Sequence, residues 1–195
     1  PGLDYVVVGE AEYSILSLAK GDSPHHTEGL VTRKSEKPNW THPRIENLDD
    51  LPLPDYSIFD MDYYTEANKD TVRGIYLRTA CILTSRGCPF NCRFCSESLN
   101  FGKGVRFHSA DYVVENIERL VMDYKVEGLY FHDNNFLYSK NHVENICRKL
   151  IQKNLHRQIK WAIQGSSVFI NEDILKTLSE AGCIKIELGI ESINE

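Results

Sequence analysis

Three thiols lie within eight residues of one another: Cys88, Cys92 and Cys95, in the run TSRGCPFNCRFCSES at 84–98. Thiolates are soft ligands, and a C-x3-C-x2-C spacing on one loop lets three of them converge on a single metal centre. A structural zinc site requires a fourth ligand, for which His108 and His132 are the candidates. An iron–sulfur cluster ordinarily takes four cysteines. With three, one iron keeps an open coordination position, and an open position is a place for chemistry. Gly87, Pro89 and Asn91 make the surrounding segment a loop. Cys81, Cys147 and Cys183 sit in apolar patterns and read as buried filler.

The rest of the chain has to place that loop. Its 195 residues, 42% of them hydrophobic, suit one ordinary domain with part of another. A net charge of −6 argues against a nucleic-acid binder, which would carry a basic patch. Six cysteines, half of them clustered, do not read as a secreted disulfide framework; a reducing cytoplasm fits better. There is no apolar run of membrane-spanning length and no signal-peptide pattern. The chain opens on Pro1 and ends in GIESINE, and both ends are expected to be cuts through a longer protein.

Residues 4–8 (DYVVV) read as a short buried strand, and 9–21 as a turn and short helix ending at Gly21. Glu10 and Glu12 suit the positive end of that helix as caps. Residues 22–75 lack periodicity and hold five prolines, Pro24, Pro38, Pro43, Pro52 and Pro54; they form a linker or wrapping segment packed by Trp40, Leu51, Leu53 and Tyr56. From Thr79 onward the pattern is regular. ACILTS is a strand leading into the cysteines. Ser109, Ser139 and Asn171 each cap a helix with apolar residues at helical spacing: Val113, Val114, Ile117, Leu120, Val121 and Tyr124; then Val143, Ile146, Cys147, Leu150 and Ile151; then Ile174, Leu175 and Leu178. LYFHD, IKWAIQ and CIKIELGI are the intervening strands. The β-α-β-α-β-α-β order demands a parallel sheet.

The strands carry two unlike faces. In the last, Ile184, Ile186, Leu188 and Ile190 alternate with Lys185, Glu187, Gly189 and Glu191; in the one before, Ile159, Trp161 and Ile163 alternate with Lys160, Ala162 and Gln164. One face packs on helices. The other is polar, which a sheet covered by helices on both sides would not tolerate. A partly open (β/α) barrel with a wet lumen would.

SRGCPFNCRFC, with Phe94 in the aromatic place of a C-x3-C-x-aromatic-C pattern, resembles the radical S-adenosylmethionine (SAM) enzymes. YFHDNNF after the second strand, AGCIKIELGIES in the fourth and LDDLPLPDY in the linker resemble the subgroup that carries a cobalamin-binding domain. DYVVVGEAE resembles the last strand and turn of that domain. The resemblance implies an α/β fold with three segments: 1–21, a remnant of a Rossmann-like cobalamin-binding domain; 22–75, the wrapping segment; and 76–195, a partial (β/α) barrel with four of the family's six strands.

It also implies a [4Fe-4S] cluster on Cys88, Cys92 and Cys95. SAM would chelate the fourth iron and be cleaved by an electron from the cluster. Asp133, Asn134 and Asn135 occupy the place where the family binds the SAM amino group, but the Gly-Gly-Glu motif of many members is absent. Gly189, Glu191 and Ser192 match the position that contacts the ribose or methionine part, and Gln164 shares that polar face. No Arg follows the third strand, where relatives often carry one; Ser166 and Ser167 stand there. Cobalamin is expected in the full-length protein. The implied partners are a small-molecule substrate and a reductant such as flavodoxin or ferredoxin, with no nucleic acid. The implied reaction is methyl transfer or anaerobic cyclisation in the cytoplasm. A methylthiotransferase-like RNA modifier and a non-catalytic zinc-binding module are the alternatives.

Overall fold

The computed structural model describes residues 3–32, 43–68, 72, 74–97, 101 and 104–190. They fall into two compact units, Pro1–Glu46 with Gly87–Val105, and Asn47–Arg86 with Arg106–Glu195. The units cut across the segments 1–21, 22–75 and 76–195, because residues 47–75 fold with the strands that follow them.

In the first unit β1 (Tyr5–Val7) pairs antiparallel with β2 (Leu30–Thr32), Val6 opposite Val31. Tyr5 and Val6 are exposed, so this strand is not the buried one that an apolar run suggests. Three residues are too few for β2 to announce itself by alternation. Between the strands lies α1 (Glu12–Ala19), whose cap position is Ala11 with no side-chain bond. Glu10 therefore has a different task from capping. It is buried, and its carboxylate accepts the Ile45 N–H at 2.9 Å.

The second unit runs α2 (Met61–Tyr64), β3 (Thr79–Ile82), β4 (Ser85–Arg86), β5 (Arg106–Phe107), α3 (Ala110–Tyr124), β6 (Gly128–Phe131), α4 (Lys140–Gln152), β7 (Lys160–Gly165), α5 (Glu172–Glu180) and β8 (Cys183–Leu188). Its main sheet has the order β3-β6-β7-β8, parallel throughout. Order in space follows order in sequence, with no reversal. That is the winding of a (β/α) barrel, where a doubly wound sheet would carry a switch point.

The helices α3, α4 and α5 each begin at the cap residue legible in the sequence. The Ser109 hydroxyl accepts from Tyr112 N–H, Ser139 from His142 N–H and Asn171 from Ile174 N–H. The helices bury one stripe against one sheet face, where Ile117, Leu120, Leu129, Phe131, Ile146, Leu150, Trp161 and Ile163 form a single core. Trp161 also donates its indole N–H to the Ala181 carbonyl at 2.8 Å. Ile151 and Leu175, placed in the apolar stripes by periodicity, lie at their solvent edges.

The segment 47–64 is a strap along α3 rather than a free linker. Asp49 accepts from Ser109 N–H and meets His108 Nδ1 at 3.1 Å. Tyr112 donates its hydroxyl to the Pro52 carbonyl, and Tyr56 donates to Asn116 while packing edge-on to Tyr124. Its deepest anchor is Leu48, fully buried, whereas Leu51, Leu53 and Tyr56 are half-buried. Trp40 lies outside the described residues.

The other sheet face is polar, as the alternation requires, with one correction. The register of β7 and β8 shifts after Trp161: Trp161 pairs with Cys183 and Ala162 with Lys185, passing over Ile184. The extra residue is taken off the helix-facing side, so Cys183 packs on the core and Ile184 is exposed. The inner face then carries Cys81, Tyr130, Ala162, Gln164, Lys185 and Glu187. Tyr130 donates its hydroxyl to Glu187 at 2.9 Å and to Gln164 at 3.4 Å, and Lys185 meets Glu187 at 2.7 Å. Val72 is buried against Tyr130 and Ala162.

Leu178 and Leu175 share one helix and one residue type but differ in burial. Leu178→Ala should lower unfolding free energy by about 2–5 kcal/mol, the range for truncating a buried leucine. Leu175→Ala should cost less than half as much. Urea denaturation of the two variants measures this, and equal losses would contradict the placement of α5.

Candidate functional site

The cysteine loop is closed by a neck. β4 and β5 form a two-residue antiparallel ladder, Ser85 opposite Phe107 and Arg86 opposite Arg106, and His108 N–H donates to the Thr84 carbonyl at 2.9 Å. Sequence suggested a strand running straight into the cysteines; instead β3 stops at Ile82 and the chain turns into this ladder. Gly87 opens the loop with φ +96°, and a Cβ there would run into the Gly104 carbonyl oxygen.

All three loop thiols are free, Cys88 half-buried and Cys92 and Cys95 exposed. The Cys95 N–H donates to the Cys92 carbonyl at 3.1 Å, a turn that brings the second and third ligand positions to one stretch of loop. Burial pushes the Cys88 thiol up. Negative charge at Cys95, Cys92 and Glu97 adds to this, and the Phe90 N–H opposes it. Among the described residues no three His, Cys, Asp or Glu side chains are gathered as a metal-holding group. The donor set still fits an iron–sulfur cluster, with three thiols on one short loop and none in a disulfide. Phe94 presents its ring to solvent, 78% exposed. Of the histidines considered as a fourth zinc ligand, His108 is held by Asp49 and stacked on Tyr112 at 3.9 Å. His132 is exposed, with its ring 5.6 Å from that of Tyr130.

The remaining candidates follow the C-terminal ends of the parallel strands, the edge at which α/β folds place their sites. Asp133 follows β6. It was expected to face SAM, yet its side chain is fully buried. The carboxylate accepts from Thr84 N–H at 3.0 Å, from the Thr84 hydroxyl at 2.9 Å and from the Ser85 hydroxyl. His132 N–H donates to the Ile82 carbonyl as the last backbone bond between β3 and β6. The Asp133 side chain takes the next donor, so the ladder is continued by a side chain where the backbone of β3 turns away.

Thr84 Oγ1 also lies 2.9 Å from His142 Nε2. The hydroxyl gives its proton to Asp133, so it accepts from His142, which fixes the Nε2–H tautomer. Burial, with the His108 charge, holds the His142 pKa down to about 4, and the ring stays neutral. Asn134 is half-buried beside this cluster. Asn135 is buried and accepts Ser166 N–H at 3.3 Å, tying the end of β6 to that of β7. Gly165 leaves room for this tie, since a Cβ there would meet Leu137 at 2.8 Å and Asn135 Oδ1 at 3.3 Å. Gln164 is half-buried on the inner face, and Gly189 is exposed beyond β8. Glu191 and Ser192 lie outside the described residues. Reading the sequence passed over Thr84, Ser85 and His142. The available signal was a hydroxyl pair just after one strand and an acid just after its neighbour.

The radical SAM superfamily model matches residues 82–195. The chain belongs to that superfamily. An uncharacterized methyltransferase of Pyrococcus horikoshii is 34% identical over 98% of this chain and 41% of its own length. The anaerobic magnesium-protoporphyrin IX monomethyl ester cyclase of Cereibacter sphaeroides is 27% identical over 98% of this chain and 32% of its own. Among solved structures, the radical SAM methyltransferase TsrM of Kitasatospora setae, with cobalamin and a [4Fe-4S] cluster bound, superposes with a TM-score of 0.74 at 17% identity, over 98% of this chain and 39% of that one. The superposition establishes the fold. The chain spans less than half the length of each of these relatives.

The Asp133 carboxyl is pushed up to about 6, chiefly by burial, with the hydroxyl and amide donors of Ser85 and Thr84 pulling the other way. An acid whose folded pKa lies above its unfolded value of 3.8 stabilises the fold most when protonated. That contribution is complete below 3.8 and is lost as pH rises through about 6. Relative to Asp133→Asn, the wild type should therefore lose on the order of 3 kcal/mol of stability between about pH 4 and pH 7, at ~1.4 kcal/mol per unit. Urea titrations at several pH values would show it, and a wild-type advantage growing with pH would reverse the assignment.

Proposed function

We propose that this chain carries the cluster-bearing core of an enzyme that cleaves SAM reductively, in the service of cobalamin-assisted methyl transfer or an anaerobic cyclisation. The observation that carries the reading is the loop of three free thiols, which in the chain follows the first strand of a parallel sheet wound as a barrel. Cys88, Cys92 and Cys95 would hold a [4Fe-4S] cluster, which when bound supplies the electron that breaks a C–S bond of SAM.

The chain's own residues supply the setting. The half-buried Cys88 limits water on one side of the ligand set. Phe94 is available to pack on what the loop holds. Asn134, Gln164 and Gly189 lie at or beyond the strand ends that would accept SAM. Glu191 is assigned to the ribose hydroxyls, whose two donors a carboxylate can accept, and Ser192 stands beside it. Asp133 acts from behind this surface rather than on it. The polar inner face, built on Tyr130, Gln164 and Glu187, suits a small-molecule substrate with hydrogen-bonding groups. A flavodoxin or ferredoxin would deliver the electron, nucleic acid is not a partner, and the protein works in the cytoplasm. No helix among the described residues is long and apolar enough to cross a membrane.

Anaerobically purified full-length protein should contain iron and acid-labile sulfide rather than zinc. Cys88→Ala, Cys92→Ala and Cys95→Ala should each abolish the brown chromophore, while Cys81→Ala, Cys147→Ala and Cys183→Ala keep it. Loss in Cys147→Ala with retention in Cys92→Ala would sink the assignment.

Glu191→Ala should leave the cluster intact and weaken SAM binding by about 1–3 kcal/mol, the cost of leaving a buried donor unpaired. Calorimetry on the reconstituted full-length protein measures it, and unchanged affinity would give Glu191 a structural role instead.

A further inference from the structure

We propose that Asp133 is a positioning residue that fixes the path of the chain at Thr84 and Ser85, just before the cysteine loop begins. The inference deepens the reading of a cluster-bearing loop and rests on it for its purpose, though not for its geometry.

Three donors converge on the Asp133 carboxylate: Thr84 N–H, the Thr84 hydroxyl and the Ser85 hydroxyl. All belong to the two residues that precede Arg86 and Gly87. A single acceptor group thus fixes the backbone and both side chains at the point where the chain quits the sheet. The Thr84 hydroxyl is held from its other side by His142 Nε2, near the start of α4, and the His142 ring packs on Phe107 of the returning strand with centroids 4.6 Å apart. The Thr84 carbonyl accepts from His108 N–H on that same returning strand. Outgoing and incoming chain are therefore referred to one buried group at the end of β6.

A hydrophobic clamp would hold the neck against the core without specifying direction. Hydrogen bonds to a carboxylate are directional, and a buried carboxylate has no water to exchange them with. The orientation of the chain at Thr84 and Ser85 therefore has to come from a directional contact. The Thr84–Asp133–His142 arrangement is placed to provide it.

The test uses full-length protein in two states. In the iron-free state, amide hydrogen exchange is followed for Asp133→Ala, Thr84→Val and Thr84→Ser. Asp133→Ala should speed exchange at 84–86 and 106–108 by about tenfold or more, the shift expected from losing at least one net hydrogen bond. The amides of Ile117 in α3 and Ile163 in β7 should keep wild-type rates. Thr84→Val should show the same local pattern, and Thr84→Ser, which keeps the hydroxyl, should restore wild-type behaviour. If Asp133→Ala fails to fold, the Thr84 pair decides alone.

In the anaerobically reconstituted state, Asp133→Ala and Thr84→Val should lose iron to a chelator faster than wild type and broaden the electron paramagnetic resonance signal, with Thr84→Ser unaffected. Exchange raised uniformly across the protein, or unchanged at the neck, would overturn the proposal. So would cluster retention equal to wild type in both weakened variants. If wild-type protein takes up no iron, the cluster reading fails, and the exchange measurements still decide whether Asp133 holds the neck.

Discussion

A carboxylate that water does not reach is the constraint on which this site depends. An isolated buried charge costs several kcal/mol, and the fold tolerates Asp133 only because donors are gathered around it. Those donors cannot be gathered without consequences for the chain that bears them. Thr84 and Ser85 must present one amide and two hydroxyls to one point, where β3 has ended and the backbone turns out of the sheet. His142 must sit at the head of α4 in one tautomer. The β4–β5 ladder forms just beyond, where both chain directions are already determined. A charge that weakens the fold at neutral pH is thus kept at the point where the chain leaves the sheet.

The sheet behind it serves the same end by more ordinary means. One face is a continuous apolar core under three helices, each started by a side-chain cap, and it holds the strand ends in register. The strap at 47–64 secures the first of those helices through Asp49, Pro52 and Tyr56. Burial works against the Asp49 carboxyl, yet Ser109 and His108 hold it below the ordinary carboxylate range, which keeps it an acceptor for the helix start. The opposite face has few apolar groups beyond Val72, Tyr130 and Ala162, and its remaining side chains bond one another.

What the sequence made legible follows the range of the interactions involved. Ser109, Ser139 and Asn171 act within three residues of themselves, and each marked its helix correctly. The alternation of Ile159, Trp161 and Ile163 with Lys160, Ala162 and Gln164 gave the two faces of β7 as they stand. The same reasoning failed one strand later, because the register shift passing over Ile184 breaks the period of two and nothing in CIKIELGI announces it. β2, β4 and β5 were too short to carry any period. The C-x3-C-x2-C spacing was plain, whereas the task of Asp133 was hidden, since its partners lie 48 and 49 residues away along the chain. Glu10 and Ile45 were hidden for the same reason, 35 residues apart.

The neck has a bearing on how such a chain can diversify. The bonds that close it belong to Thr84, Ser85, Arg86, Arg106, Phe107, His108, Asp133 and His142, none of them between the two glycines that flank the thiols. Lengthening a closed loop is cheap, about 0.6 kcal/mol for each doubling. Lengthening the segment between Gly87 and Gly104 would therefore add little to the entropic cost of closing the neck. Gly87 itself is not free to change, because a side chain there would strike the opposite wall of the neck. The neck is thus a socket whose closing bonds set no length for the chain it carries.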